Sequence, residues 1–86
     1  MSHPSAGARI LVIDDEPGIA RAIRRNLARH DLQVEIAEAG FVGLEALTRF
    51  HPDVILLDLG LPDVDGMEII RRVRTASQVP IIVLSV

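Results

Sequence analysis

Three short apolar runs mark the chain. Ile10-Leu11-Val12-Ile13, Val54-Ile55-Leu56-Leu57 and Ile81-Ile82-Val83-Leu84 are rich in β-branched residues, the pattern of buried parallel strands. A weaker segment, Gln33 to Ala37, alternates, with Val34 and Ile36 on one side, as a less buried edge strand does. Between these segments the apolar period lengthens to that of a helix. Ile19, Ile23 and Leu27 form one stripe after Pro17, which fits a first helical turn because its missing N–H costs nothing there. His30-Asp31 ends that segment. Leu44 and Leu47 are the core stripe of a second helix, running from about Gly40 to Phe50 before Pro52-Asp53 breaks the chain. Met67, Ile70 and Val73 predict a third helix to about Ala76, with Arg71, Arg72 and Arg74 near the end where cations favour the dipole. Gly60, Pro62 and Gly66 punctuate the loop before it. Gly66 reads as a turn glycine needing positive φ, and Phe41 and Phe50 as core or rim packing.

The order is therefore βαβαβαβ, which implies an α/β fold with a parallel sheet and helices on both faces. Right-handed crossovers restrict the topology, placing the first helix on one face and the second and third on the other. Each apolar run ends on a residue that can do chemistry: the first on Asp14 and Asp15, the second on Asp58, the third on Ser85. For these acids to meet, the first and second buried runs must be neighbours. A strand order of 2-1-3-4, a flavodoxin-like doubly wound sheet, satisfies this. Its switch point lies between strands 1 and 3, at the carboxyl rim where ligand sites of open parallel sheets lie.

A lone Asp after a strand is more often a solvated loop acid or a cap. Three carboxylates delivered to one rim repel each other, which raises their pKa values unless something compensates. A divalent cation does so, and Mg²⁺ suits one or two carboxylates plus waters and a phosphate oxygen. One carboxylate can then act as nucleophile towards phosphorus, with a hydroxyl such as Ser85 donating to the phosphoryl group. This is the layout of a metal and phosphoryl site.

Composition narrows the setting. With 86 residues the chain is one domain or part of one, and a chain of this size buries only about 60–65% of its unfolded surface. Its 49% apolar content excludes a disordered chain. No apolar run approaches the roughly 18 residues needed to span a bilayer. Residues 1–7 are small and polar and read as a flexible leader, not a signal peptide, with the domain occupying 8–86. The absence of cysteine excludes disulfides and thiolate metal sites and places the chain in the cytoplasm by default. A net charge of −3 argues against non-specific nucleic-acid binding. His3, His30 and His51 are scattered without metal-ligand spacing and are expected to be exposed. All nine basic residues are arginine.

The segments Val12-Ile13-Asp14-Asp15-Glu16-Pro17 and Leu56-Leu57-Asp58-Leu59-Gly60-Leu61-Pro62-Asp63-Val64-Asp65-Gly66, with Pro80 to Ser85, resemble the receiver domain of two-component response regulators. Leu59 to Asp63 and Ile82 to Ser85 are most similar to regulators of the winged-helix output class, and within it to the potassium-response (Kdp-type) regulators. The resemblance implies that Asp58 is the phospho-acceptor, taking a phosphoryl group from a sensor histidine kinase. It implies that Asp15 binds Mg²⁺ directly and Asp14 partly through water, with Asp58 and the backbone carbonyl of Gly60 as further ligands. Ser85 would hydrogen-bond the phosphoryl oxygens and report phosphorylation.

The chain departs from the family pattern in one respect. The family carries a phosphoryl-binding lysine at the end of a fifth strand, and this chain stops after the fourth strand with no lysine anywhere. The fifth strand, the last two helices and any DNA-binding domain are also absent from it. The fourth strand is then an open edge, with Ile81 to Leu84 and part of Val54 to Leu57 uncovered on one side, so self-association is expected. Three readings follow. The first is a phospho-accepting regulatory module that is not an enzyme on other substrates. The second is a non-phosphorylated interaction or dimerisation fragment that keeps the receiver shape. The third, an aspartyl phosphatase, is disfavoured because Gly60 stands where a second acid is usual.

Overall fold

The computed structural model describes residues 7–85; the expected leader before Gly7 lies outside the described residues. Gly7 itself donates its N–H to the Asp31 carbonyl at 3.3 Å and accepts from Gln33 Nε2 at 3.3 Å. The elements are β1 (Arg9–Ile13), α1 (Pro17–Ala28), β2 (Gln33–Ala37), α2 (Gly40–Phe50), β3 (Val54–Asp58), α3 (Gly66–Ala76) and β4 (Ile81–Ser85). The strands form one parallel sheet in the order β2-β1-β3-β4, as the alternation of the sequence predicts.

Strand register places the site. Ile10 pairs with Val54 and Ile13 with Leu57, so the residues that follow, Asp14 and Asp58, leave the sheet side by side. Ile13 also pairs with Ala37 on β2. Beyond Leu57 the β3–β4 register shifts, and Asp58 stands opposite Ser85. Of Ser85 only the backbone is described, so the role expected of its hydroxyl lies outside the described residues.

The core lies on one face of the sheet. Leu11, Ile13, Ile55 and Leu57 are fully buried there and cluster with Ala46, Ile69 and Val73 of α2 and α3. The two helices pack on each other, and α1 packs against β2. The buried face of α2 is made of Gly40, Gly43 and Ala46, while the expected stripe of Leu44 and Leu47 is only partly buried at its flanks. The cause is close approach: a Cβ on Gly43 would stand 2.5 Å from Cδ1 of Ile13. In α3 the buried positions are Gly66, Ile69 and Val73, and Met67 is exposed. Gly66 does not have positive φ, contrary to the turn expected of it. It is the first residue of α3, and a Cβ there would lie 2.5 Å from the Leu59 Cα, so backbone proximity accounts for the glycine.

The opposite face is thinner. Val12 is fully buried, but Leu56 is only partly so, and α1 buries Ala20 while Ile19 stays half exposed. β4 is an open edge: Ile82, Val83 and Leu84 are 54%, 40% and 38% exposed. The run Ile81 to Leu84 is thus not the buried strand its composition alone suggests. Arg49 ties α2 to the other edge of the sheet, donating to Glu35 of β2 at 3.1 Å and to Glu45 of its own helix at 3.2 Å. His30 and His51 are exposed, as expected.

The seating of α2 on β1 can be tested with two glycines. Gly43→Ala forces a methyl into the Ile13 side chain and should lower stability by about 1–3 kcal/mol. Gly18→Ala, with nothing within 4 Å of the new methyl, should be neutral or add up to about 1 kcal/mol. Denaturant titration compares them, and equal effects would contradict this packing.

Candidate functional site

β1 and β3 deliver their acids to one point. Asp14, Asp15 and Asp58 each offer a carboxylate oxygen, and these oxygens all lie within 4.8 Å of one another. The three acids singled out in the sequence are therefore brought together. Asp14 is only 2% exposed, while Asp15 and Asp58 are partly buried. Local hydrogen bonds fix the geometry. Asp14 donates its N–H to the Ala37 carbonyl at 3.0 Å, which anchors the end of β1 to β2. Its Oδ1 accepts from the Glu16 N–H at 2.9 Å. The Gly60 N–H donates to Asp58 Oδ1 at 2.9 Å, which folds the residues after the acid back over it.

Burial pushes the Asp14 carboxyl above the usual carboxylate range; the Glu16 N–H opposes this, and the charges of Asp58 and Asp15 and a hydrogen bond to Asp58 reinforce it. Crowded, buried carboxylates of this kind are the setting that a cation would relieve. The donor set is all oxygen, which fits a hard divalent cation such as Mg²⁺. The cluster can hold such an ion and present one carboxylate to an electrophile. A cleft of about 480 Å³ between α1 and β2, lined by Pro17, Arg21, Glu35 and Glu38 among others, includes none of the three acids.

The loop beyond Asp58 is closed on itself and on a neighbouring helix. The Gly66 N–H donates to the Leu59 carbonyl at 3.3 Å, and Asp65 caps α3 by accepting from the Met67 N–H at 2.9 Å. Asp63 accepts from the N–H groups of Gly40 and Phe41 at 2.8 and 3.0 Å. Those two donors hold its carboxyl below the usual range. Sequence reasoning includes Asp63 in a motif without assigning it a task. The only signal available was Ala39, which stands at the start of α2 without a side chain able to cap it. Phe41, expected as packing, is half exposed beneath the Arg72 guanidinium, 5.6 Å from the ring centre.

Comparison with known proteins agrees with this geometry. The profile of the response regulator receiver domain matches residues 10–86. The transcriptional regulatory protein KdpE of Mycobacterium tuberculosis is 47% identical over 76 residues, which are 88% of this chain and 34% of that protein. The chain thus spans about a third of the length of that regulator. The BeF3-activated receiver domain of Klebsiella pneumoniae RstA superposes with a TM-score of 0.85 at 35% identity, covering 90% of this chain and 66% of that one. The response regulator TrrA of Thermotoga maritima, in complex with Mg²⁺-BeF, gives 0.84 at 30% identity, covering 91% and 69%. Among the described residues no helix is long and apolar enough to cross a membrane.

The crowding of the acids predicts a gain of stability on neutralisation. Asp14→Asn keeps an acceptor for Glu16 and removes the buried charge, so the metal-free chain should gain roughly 1–2 kcal/mol at neutral pH. Because the folded pKa is raised, the gain is complete above it and disappears as pH falls below the ordinary value of 3.8. Urea unfolding of both proteins at neutral and acid pH measures this. Loss of stability at neutral pH would contradict the crowding.

Proposed function

The chain belongs to the response regulator receiver domain family, and on that premise we propose that Asp58 accepts a phosphoryl group from the phosphohistidine of a sensor kinase, with Mg²⁺ as cofactor. The observation that carries this reading is the approach of the Asp14, Asp15 and Asp58 oxygens to within 4.8 Å. Asp14 and Asp15 would hold the ion together with Asp58 and the Gly60 carbonyl. Bound there, Mg²⁺ supplies charge neutralisation for the acids and for the transferring oxygens.

The remaining chemistry belongs to the chain. A carboxylate oxygen of Asp58 attacks phosphorus as the phosphorus–nitrogen bond of the phosphohistidine breaks, and the electron pair returns to the imidazole. The Gly60 N–H, 2.9 Å from Asp58 Oδ1, orients the nucleophile. The backbone position of Ser85 opposite Asp58 puts its residue beside the site, and we assign its hydroxyl to the phosphoryl oxygens and to reporting their presence. The setting is cytoplasmic, and the output is control of transcription through a winged-helix DNA-binding domain outside this chain. The likeness to a KdpE over one third of that regulator supports this output.

A second reading has its own support. The exposed Ile82, Val83 and Leu84 along β4 would suit a non-phosphorylated interaction or dimerisation fragment that keeps the receiver shape and pairs through β4 with a second copy.

Mg²⁺ titration followed by amide NMR, then acetyl phosphate treatment and intact mass, tests the first reading. Shifts should cluster at Asp14, Asp15, Asp58 and Gly60. Labelling should appear and be abolished by Asp58→Asn. Labelling that survives that substitution would refute the site. Sedimentation of the same samples should show concentration-dependent association, and a monomer at every concentration would refute pairing through β4.

A further inference from the structure

We propose that Asp63 is a positioning residue for the acidic rim: its carboxylate clamps the loop between β3 and α3 onto the first turn of α2. The clamp holds the Asp58–Gly60 half of the site at a fixed distance from the Asp14–Asp15 half. Its consequence for Mg²⁺ rests on the phospho-acceptor reading; the clamp itself does not.

Three observations carry it. The first is the contact. Asp63 Oδ1 accepts from the Gly40 N–H and Oδ2 from the Phe41 N–H, so both oxygens are engaged, across 23 and 22 residues of sequence. The first N–H groups of a helix have no partner within it. In α2 the residue before them is Ala39, without a capping side chain, so the cap is supplied by the loop. Ordinary capping would need only a Ser, Thr, Asn or Asp at position 39. Placing the acceptor on the loop instead makes the start of α2 depend on where the loop sits.

The second observation is the fit around the clamp. A Cβ on Gly40 would stand 2.2 Å from Val64 Cγ1 and 2.9 Å from Ile69 Cδ1. The loop and α3 therefore lie directly against the α2 backbone, which only glycine permits. Arg72 of α3 covers the Phe41 ring on the same turn.

The third is what α2 rests on. Its Gly43 packs on Ile13, the residue before Asp14, and the strand end before it, Ala37, accepts from the Asp14 N–H. One turn of α2 is thus fixed to the β1 half of the site through Ile13 and to the β3 half through Asp63. The Gly66–Leu59 hydrogen bond joins the two ends of the loop, so a displacement at residue 63 is passed on towards Gly60.

The test compares Asp63→Ala, Asp63→Asn and a control, Asp53→Ala. Asp53 accepts from the Arg9 N–H at 2.7 Å, near the start of β1 and far from the rim. Two quantities are read: hydrogen exchange at the Gly60 and Gly66 amides without metal, and the dissociation constant for Mg²⁺ alone. Asp63→Ala should speed exchange at both amides and weaken Mg²⁺ binding about tenfold, the scale of groups that orient metal ligands. Asp63→Asn, which keeps one good acceptor, should recover part of both. Asp53→Ala should lower the melting temperature and leave both quantities unchanged. Parent-like exchange and affinity in Asp63→Ala and Asp63→Asn would overturn the proposal, and so would equal effects from Asp53→Ala. If the parent shows no Mg²⁺ response, the phospho-acceptor reading fails, and exchange at Gly60 and Gly66 alone decides the clamp.

Discussion

Mutual repulsion among three carboxylates is the constraint around which the rim is organised. Like charges this close oppose one another, and at Asp14 burial, together with the charges of Asp58 and Asp15, pushes the carboxyl above its usual range. The charges of the acids oppose the arrangement. It persists because parallel pairing of β1 with β3 brings Asp14 and Asp58 off the sheet side by side. The fully buried Leu11, Ile13, Ile55 and Leu57 hold that register, since a slip by one residue would turn them out of the core. The apolar runs and the acids are therefore one device: burial of the strands supplies the free energy that keeps the charges together, and a site primed for a cation is the result.

The support around the rim follows from the same need. Repelling groups stay in place only if their surroundings hold them, and hydrogen bonds hold both halves of the rim. Asp14 is bonded to Ala37, Asp58 receives the Gly60 N–H, and the loop that follows closes between Leu59 and Gly66. α2 then lies across both halves with glycine at its closest contacts, Gly43 on Ile13 and Gly40 against Val64. The far side of the sheet carries no such burden and is looser, with Ile19 on α1 and Ile82 on β4 half exposed.

Much of this was legible in the sequence. The strands were, because β-branched runs of four bounded by Asp, Gly and Pro have few other uses. So was the meeting of Asp14, Asp15 and Asp58, because crossover handedness leaves few strand orders. The faces of α2 and α3 were legible only in part: Val73 is buried and Leu44, Leu47 and Ile70 pack at the edge of the core. Periodicity ranks large apolar residues first, and so favours Leu44, Leu47 and Met67. The structure buries Gly43 and Ala46 where helix and strand approach most closely, and turns Met67 outward. Gly66 was misread for a related reason: a glycine required by a neighbouring backbone looks the same in sequence as one required by positive φ. Asp63 was hidden because a cap is sought next to the helix it serves, and here the acceptor comes from 23 residues away.

Paramagnetic broadening by Mn²⁺ tests most directly the claim that sheet register builds one cation site from two strands. Mn²⁺ shares the preference for oxygen donors, and its effect on amide signals falls steeply with distance. The account predicts that trace Mn²⁺ erases the amides of Asp14, Asp15, Asp58 and Gly60 together, with signals at the opposite end of the sheet, around Arg9 and Asp53, retained. Broadening confined to one strand end, or centred on acids elsewhere such as Glu35 or Glu68, would contradict it.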